Sequence, residues 1–142
     1  MAFQKILVSL DGSEHSNRAL EAAIQIAKGL SSKLALITVV LVTPVAPAAG
    51  PELAVVAIQQ SRERGKITLA RAEAKAKSEN IEVETELADG NAVEAIVKKA
   101  KEENFDLIVM GARGLSTIKK IFVGSVSEGV IKNAPCPVLI VK

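Results

Sequence analysis

The chain has 142 residues, 49% of them hydrophobic and 24% charged, with a formal net charge of +2. That is enough apolar material for a core at the length of one domain, residues 1–142, and too little charge imbalance for a polyanion partner or a disordered chain. Aromatic residues make up 2% of the chain, with no Trp or Tyr, which argues against a base-stacking surface for single-stranded nucleic acid.

The first apolar run, Ile6-Leu7-Val8, predicts a strand and ends at Asp11-Gly12-Ser13, a turn and helix-start signal. A helix is expected to about Lys28, with Ala19, Ala23, Ile26 and Ala27 on one face and Gly29 as its stop. Leu34 to Leu41 is continuously apolar and rich in β-branched residues, as a strand buried on both faces requires. Val42 to Pro51 holds Pro44, Pro47 and Pro51, a density that excludes helix and interior strand and predicts a surface loop. Pro51 suits the first turn of a long helix to about Glu79, with Asn80 as its cap. Ile81 to Leu87 alternates, Ile81, Val83, Thr85 and Leu87 against Glu82, Glu84 and Glu86, which predicts an edge strand with one wet face.

Asn91 with Glu94 three residues on is a capping box. It opens a helix that buries Val93, Ile96, Val97 and Ala100. Leu107 to Met110 is the fourth strand, Ser125 to Asn133 the fourth helix and Val138 to Val141 the fifth strand. Strict β-α alternation predicts an α/β fold: an open five-stranded parallel sheet with helices on both faces.

The single cysteine, Cys136, excludes an intrachain disulfide and fits a reducing compartment. It lies between Pro135 and Pro137 and reads as a small buried hydrophobe. Met1 to Leu10 reads as a strand and not as a leader peptide. The apolar stretch from Leu34 to Ala49 is broken by Thr38, Thr43 and two prolines, so no membrane span is expected. A cytoplasmic location is the expectation. His15, the only histidine, is expected on a helix surface, and no spacing of His, Cys, Asp and Glu suggests a metal site.

Ligands of open parallel sheets bind at the carboxyl ends of the strands, near the point where strand order reverses. That rule nominates Ser9 to Ser13, Val39 to Thr43 and Met110 to Thr117. The last stretch begins Gly111-Ala112-Arg113-Gly114 and, nine residues later, is followed by Gly124-Ser125-Val126-Ser127-Glu128. Gly111 and Gly114 lack side chains where a backbone has to approach a phosphate, and Arg113 offers a fork of donors. Gly124-Ser125 opens a helix, whose exposed N–H groups and dipole attract anions. Ser125 with Glu128 is equally a capping box that needs no ligand. Lys119 and Lys120 read as a solvated pair. The motif is neither a Walker loop nor a dinucleotide fingerprint.

Over essentially its whole length the chain resembles the universal stress protein family. The resemblance rests on Lys5-Ile6-Leu7-Val8-Ser9-Leu10-Asp11-Gly12-Ser13, Asp106 to Gly111, Gly124 to Glu128 and Pro135 to Val141. Gly111, Gly114, Gly124 and Ser125 match the spacing of the family's ATP-binding branch. The resemblance implies a Rossmann-like, adenine nucleotide alpha hydrolase-like sheet with strand order 3-2-1-4-5, and ATP as ligand; Mg2+ can arrive with the nucleotide, with Asp11 as a candidate ligand. It implies that Gly111, Arg113, Gly114, Gly124, Ser125, Val126 and Ser127 hold phosphates and ribose. Ser9, Leu10 and Asp11 lie beside the nucleoside, the backbone of Val39 meets the adenine, and Met110 leads into the loop. Thr38 departs from the His that many relatives carry there.

No catalytic residue is implied. The apolar last strand, Val138, Leu139, Ile140 and Val141, is expected at a sheet edge, and the resemblance points to a homodimer paired through it. The expected role is a nucleotide-dependent switch in stress response, its protein partner unidentified, with the proline loop and the long helix as its surface. A slow ATPase or phosphotransferase, AMP or a cyclic adenosine nucleotide as ligand, and a dimeric scaffold with an empty pocket are the alternatives.

Overall fold

A computed structural model describes residues 3–40, 50–113 and 123–142. The elements run β1 (Lys5–Ser9), α1 (Glu14–Leu30), β2 (Lys33–Val40), α2 (Gly50–Ser78), β3 (Val83–Asp89), α3 (Ala92–Glu102), β4 (Leu107–Gly111), α4 (Ser125–Asn133) and β5 (Val138–Val141). All strand pairs are parallel, and the order across the sheet is β3-β2-β1-β4-β5, as expected. The predicted proline loop lies outside the described residues, apart from Gly50 and Pro51, which begin α2.

Alternation along each strand divides the apolar side chains between two cores. Ile6, Val8, Leu34, Leu36 and Val109 face α1 and α2 and pack with Ala23, Ile24, Leu69 and Ala76. Leu7, Ala35, Ile37, Ile108 and Met110 face α3 and α4 and pack with Ile96, Ala100 and Val130. The central strands thus carry apolar side chains on both faces, which is why they read as unbroken apolar runs. Of the residues expected on the buried face of α3, Ile96 and Ala100 are buried, while Val93 and Val97 are half-buried.

Three local expectations are corrected. Gly29 does not stop α1; the helix continues to Leu30, and Ser31 adopts the left-handed conformation at φ 56. The Ser32 N–H then donates to Ala27 O at 3.0 Å, closing the last turn. At the end of α2, Asn80 takes the left-handed conformation (φ 61), and Ile81 N–H reaches Ala76 O at 3.2 Å. That closure draws Ile81 into the core beneath α2, so β3 starts later, at Val83. The third lies at the start of α4, beside the site.

β3 is a sheet edge, and its glutamates are exposed, yet they are not merely solvated. Lys99 of α3 is 8% exposed and lies beneath them. Its Nζ donates to Glu86 Oε1 at 3.1 Å and Glu103 Oε2 at 2.8 Å, with Glu84 at 3.9 Å. Burial alone lowers the affinity of this amine for its proton, but the bonds to Glu103 and Glu86 outweigh it, and the pKa is raised above the ordinary lysine value. The folded chain therefore holds this proton more tightly than the unfolded chain. The resulting stabilisation is fully present below the ordinary value of 10.5 and is lost as pH rises through the folded value. Lys99→Met keeps the apolar stem against Phe105 and removes the charge. Its melting temperature is expected to lose this alkaline dependence, so that variant and wild-type curves converge as pH rises through the folded value; parallel curves would contradict the assignment.

Candidate functional site

Strand register creates a notch at the carboxyl end of the sheet. β1 pairs with β2 only as far as Ser9↔Ile37 and with β4 only as far as Val8↔Val109. β2 continues beside β3 to Val40↔Asp89, and β4 continues beside β5 to Gly111↔Val141. Thr38, Val39 and Val40 on one side and Met110 and Gly111 on the other thus project past β1, by about 7–10 Å at the usual rise per residue. The notch lies where the strand order reverses. Its floor is the end of β1, where Leu10 N–H donates to Ile37 O at 2.9 Å.

Of the nominated residues, Ser9, Leu10 and Asp11 lie on the floor, Val39 on one wall, and Met110 and Gly111 on the other. Leu10 and Met110 are buried. Asp11 Oδ1 accepts from Ser13 N–H at 2.9 Å, and Gly12 between them sits at φ 85, a conformation that favours glycine. Ser13 in turn caps α1, its hydroxyl accepting from Ser16 N–H at 3.2 Å. The turn-and-cap reading of Asp11-Gly12-Ser13 is thus realised in full, and one carboxylate oxygen of Asp11 is committed to it.

Beyond β4, two bonds fix the start of α4 beside the wall of the notch. Gly124 N–H donates to Ala112 O at 2.6 Å, and the buried Ser127 hydroxyl donates to Gly111 O at 2.7 Å. The Ser127 proton is therefore spent within the fold, where it ties helix to strand. Ser125 is not a capping residue, contrary to the capping-box expectation. Gly124 holds the N-cap position, and among the described residues no side chain caps this helix. Ser125 and Val126 are exposed, so the first turn of α4 presents backbone N–H groups with the positive end of the helix dipole behind them. Gly114, Lys119 and Lys120 lie outside the described residues.

Two features here escaped sequence reasoning. His15, expected as a surface residue, is half-buried at the rim of the notch. A Cβ on Gly111 would lie 2.8 Å from both the carbonyl carbon and the Cβ of His15, so the absence of a side chain there is what lets α1 meet β4. Arg113 Nη2 stands 3.4 Å from His15 Nε2. No spacing rule reports a contact across 98 residues of sequence. The second feature is Thr38, whose hydroxyl is buried and has no hydrogen-bond partner among the described residues. Its signal in the sequence is a lone hydroxyl inside an apolar run.

Cys136 is half-buried; burial, with Asp106 nearby, pushes its thiol up from the ordinary value. It is therefore a poor nucleophile at neutral pH. Among the described residues no three His, Cys, Asp or Glu side chains converge on a point that could hold a metal ion, and no helix is long and apolar enough to cross a membrane. An open groove of about 820 Å³ on α3, lined by Val93, Val97, Lys98 and Asn133 among others, contains none of the nominated residues.

Strand order and register define a doubly wound α/β protein with a notch at its switch point. The model of the universal stress protein family matches residues 2–142, and the chain belongs to that family. It is 37% identical to a universal stress protein of Methanocaldococcus jannaschii over 142 residues, 99% of this chain and 82% of that one. Its fold superposes on universal stress protein UspA from Lactobacillus plantarum with a TM-score of 0.91, at 24% identity over 100% and 99% of the two chains. A universal stress protein solved in complex with cAMP is 30% identical, with a TM-score of 0.74, over 100% of this chain and 99% of that one.

Proposed function

We propose that this chain is a cytoplasmic, single-domain ATP-binding member of its family that acts as a nucleotide-dependent switch in stress response. The observation that carries the reading is the uncapped first turn of α4, held beside the notch by the Gly124 and Ser127 bonds. A helix start without a capping side chain is an anion site of ordinary kind. Phosphates sit on the N–H groups of Ser125 and Val126, with Gly111, Gly114 and Gly124 allowing close approach and Arg113 adding charge. Asp11 lies at the nucleoside end, and Val39 offers backbone on the edge of β2 that projects past β1. The relative that binds cAMP supports an adenine nucleotide as the class of ligand. It also favours the second reading, a mononucleotide or cyclic nucleotide in place of ATP. Any Mg2+ is held chiefly by the nucleotide's own phosphates, since the described side chains form no donor set. No catalytic residue is assigned. Two copies pair through Val138, Leu139, Ile140 and Val141 of β5.

The test is to denature freshly purified protein and identify any released nucleotide by mass spectrometry, then to melt nucleotide-free protein with Mg·ATP, AMP, cAMP or adenosine. ATP at a hundred times its Kd is expected to stabilise the fold by about 2.7 kcal/mol, a rise in Tm of roughly 8 °C. A larger rise with AMP or cAMP supports the second reading. No released nucleotide and no shift with any of them contradicts both.

A further inference from the structure

The ring of His15 has two nitrogens in unlike surroundings. Nε2 stands 3.4 Å from Arg113 Nη2, while Nδ1 is buried and has no hydrogen-bond partner among the described residues. Arginine carries only donors and stays protonated, so a bond between them requires Nε2 to accept. The ring proton then resides on Nδ1, and the ring is neutral. A neutral imidazole acting as an acceptor does nothing for an anion directly. What it does is fix the direction of the guanidinium.

The backbone leading into each member of this pair is tied to its neighbours. His15 is the second residue of α1, just after the Ser13 cap, and its main chain is pressed against Gly111. Arg113 is the second residue after Gly111 and directly follows Ala112, whose N–H donates to Val141 O at 2.8 Å and whose carbonyl accepts from Gly124. A long flexible side chain thus leaves a fixed backbone and meets a fixed acceptor. Holding an arginine in one rotamer before its anion arrives removes part of the entropy that binding otherwise loses.

We propose that His15 is a positioning residue: it holds the Arg113 guanidinium at the phosphate end of the cleft and thereby sets how strongly the site discriminates by phosphate charge. This rests on the nucleotide reading above and goes beyond it in naming the residue that tunes affinity for the phosphates without touching the nucleoside. The expected signature is a loss confined to phosphorylated ligands. His15→Gln retains a side-chain oxygen that accepts from Arg113; His15→Ala does not.

The experiment is calorimetric titration of ATP and of adenosine into the nucleotide-free wild-type chain, His15→Ala, His15→Gln, Arg113→Ala and the double variant His15→Ala/Arg113→Ala, with a melt of each. His15→Ala is expected to weaken ATP about tenfold while changing adenosine less than about twofold. His15→Gln restores most of the ATP affinity, and the double variant binds ATP no more weakly than Arg113→Ala alone. Equal losses for ATP and adenosine, no rescue by His15→Gln in a chain that melts normally, or additive losses in the double variant each overturn the proposal. A wild-type chain that binds adenosine and ATP equally overturns it while leaving nucleotide binding intact. A wild-type chain that binds neither overturns both readings together.

Discussion

Gly111→Val is expected to lower the stability of the fold by roughly 3 kcal/mol, a fall in Tm of roughly 10 °C, whether or not any nucleotide is present. The first side-chain carbon would lie 2.8 Å from two atoms of His15 and 3.0 Å from its carbonyl oxygen. Part of that obstacle is main chain in the first turn of a capped helix, which cannot rotate aside as a flexible side chain does. Either α1 moves away from β4 or the end of β4 detaches from β5, and each course opens a core. Gly111→Ala meets the same atoms without the branches and is expected to cost about half as much. Gly29 provides the opposite case. It lies inside α1, and nothing comes within 4 Å of a Cβ built on it. Gly29→Ala is expected to stabilise by about 0.5–1 kcal/mol, through helix propensity alone. Urea or thermal melts of the three variants check this, and a destabilising Gly29→Ala would restore the helix stop that the sequence suggested. The penalty at Gly111 has a bearing on function, because a phosphate-loop glycine is usually explained by its ligand. Here the contact with α1 is sufficient reason for the residue, so lost nucleotide binding in Gly111→Val does not by itself demonstrate a phosphate contact. Substitutions at Ser125 or Arg113, which leave the α1–β4 contact alone, are the better probes.

Leu139→Lys is expected to turn a dimer into a monomer. β5 is an edge strand whose four residues are all apolar, and Leu139 in its middle is 37% exposed. A two-fold pairing of β5 with its copy brings the two Leu139 side chains near each other, and lysine there sets like charges against each other while raising the cost of covering the edge. The association constant is expected to fall at least about a hundredfold, read by light scattering on a sizing column across a dilution series. The fold itself tolerates the change, since the altered side chain is partly in solvent and the backbone pairing with β4 is retained. A wild-type chain that is monomeric at every concentration, or a variant that remains dimeric, rejects the β5 interface.

The order of elements could be read because each strand is a short apolar run and each helix a longer stretch of different period. The α1 and α3 caps at Ser13 and Asn91 were equally visible, since such bonds are made within three residues. What sequence reasoning missed are the consequences of tertiary contacts. Ser125 with Glu128 has the spacing of a capping box, but the bond from Gly124 to Ala112 fixes where α4 begins and moves the cap one residue earlier. Gly29 looked like a stop because glycine is the usual left-handed residue, yet Ser31 takes that conformation where the chain must turn towards β2. Nothing local marks Lys99 as a buried residue; β3 places two glutamates above it. The pairing of His15 with Arg113 depends on α1 and β4 meeting, and no local pattern encodes it.

The two borders of the sheet are chemically unlike. One is β5, uncharged and apolar; the other is β3, where Glu84 and Glu86 crowd around a single buried ammonium and Lys33 holds Glu82 at 3.2 Å. A border that attracts its own kind and a border that repels it give an arithmetic of assembly. Two copies joined through β5 form one continuous sheet whose outer borders are both β3. A third copy arriving with its β5 finds a charged border in place of an apolar one, and one arriving with its β3 finds the same pattern of charge that it carries. If the proposed β5 interface forms, growth is therefore expected to end at two, and the same sheet is protected against becoming a filament.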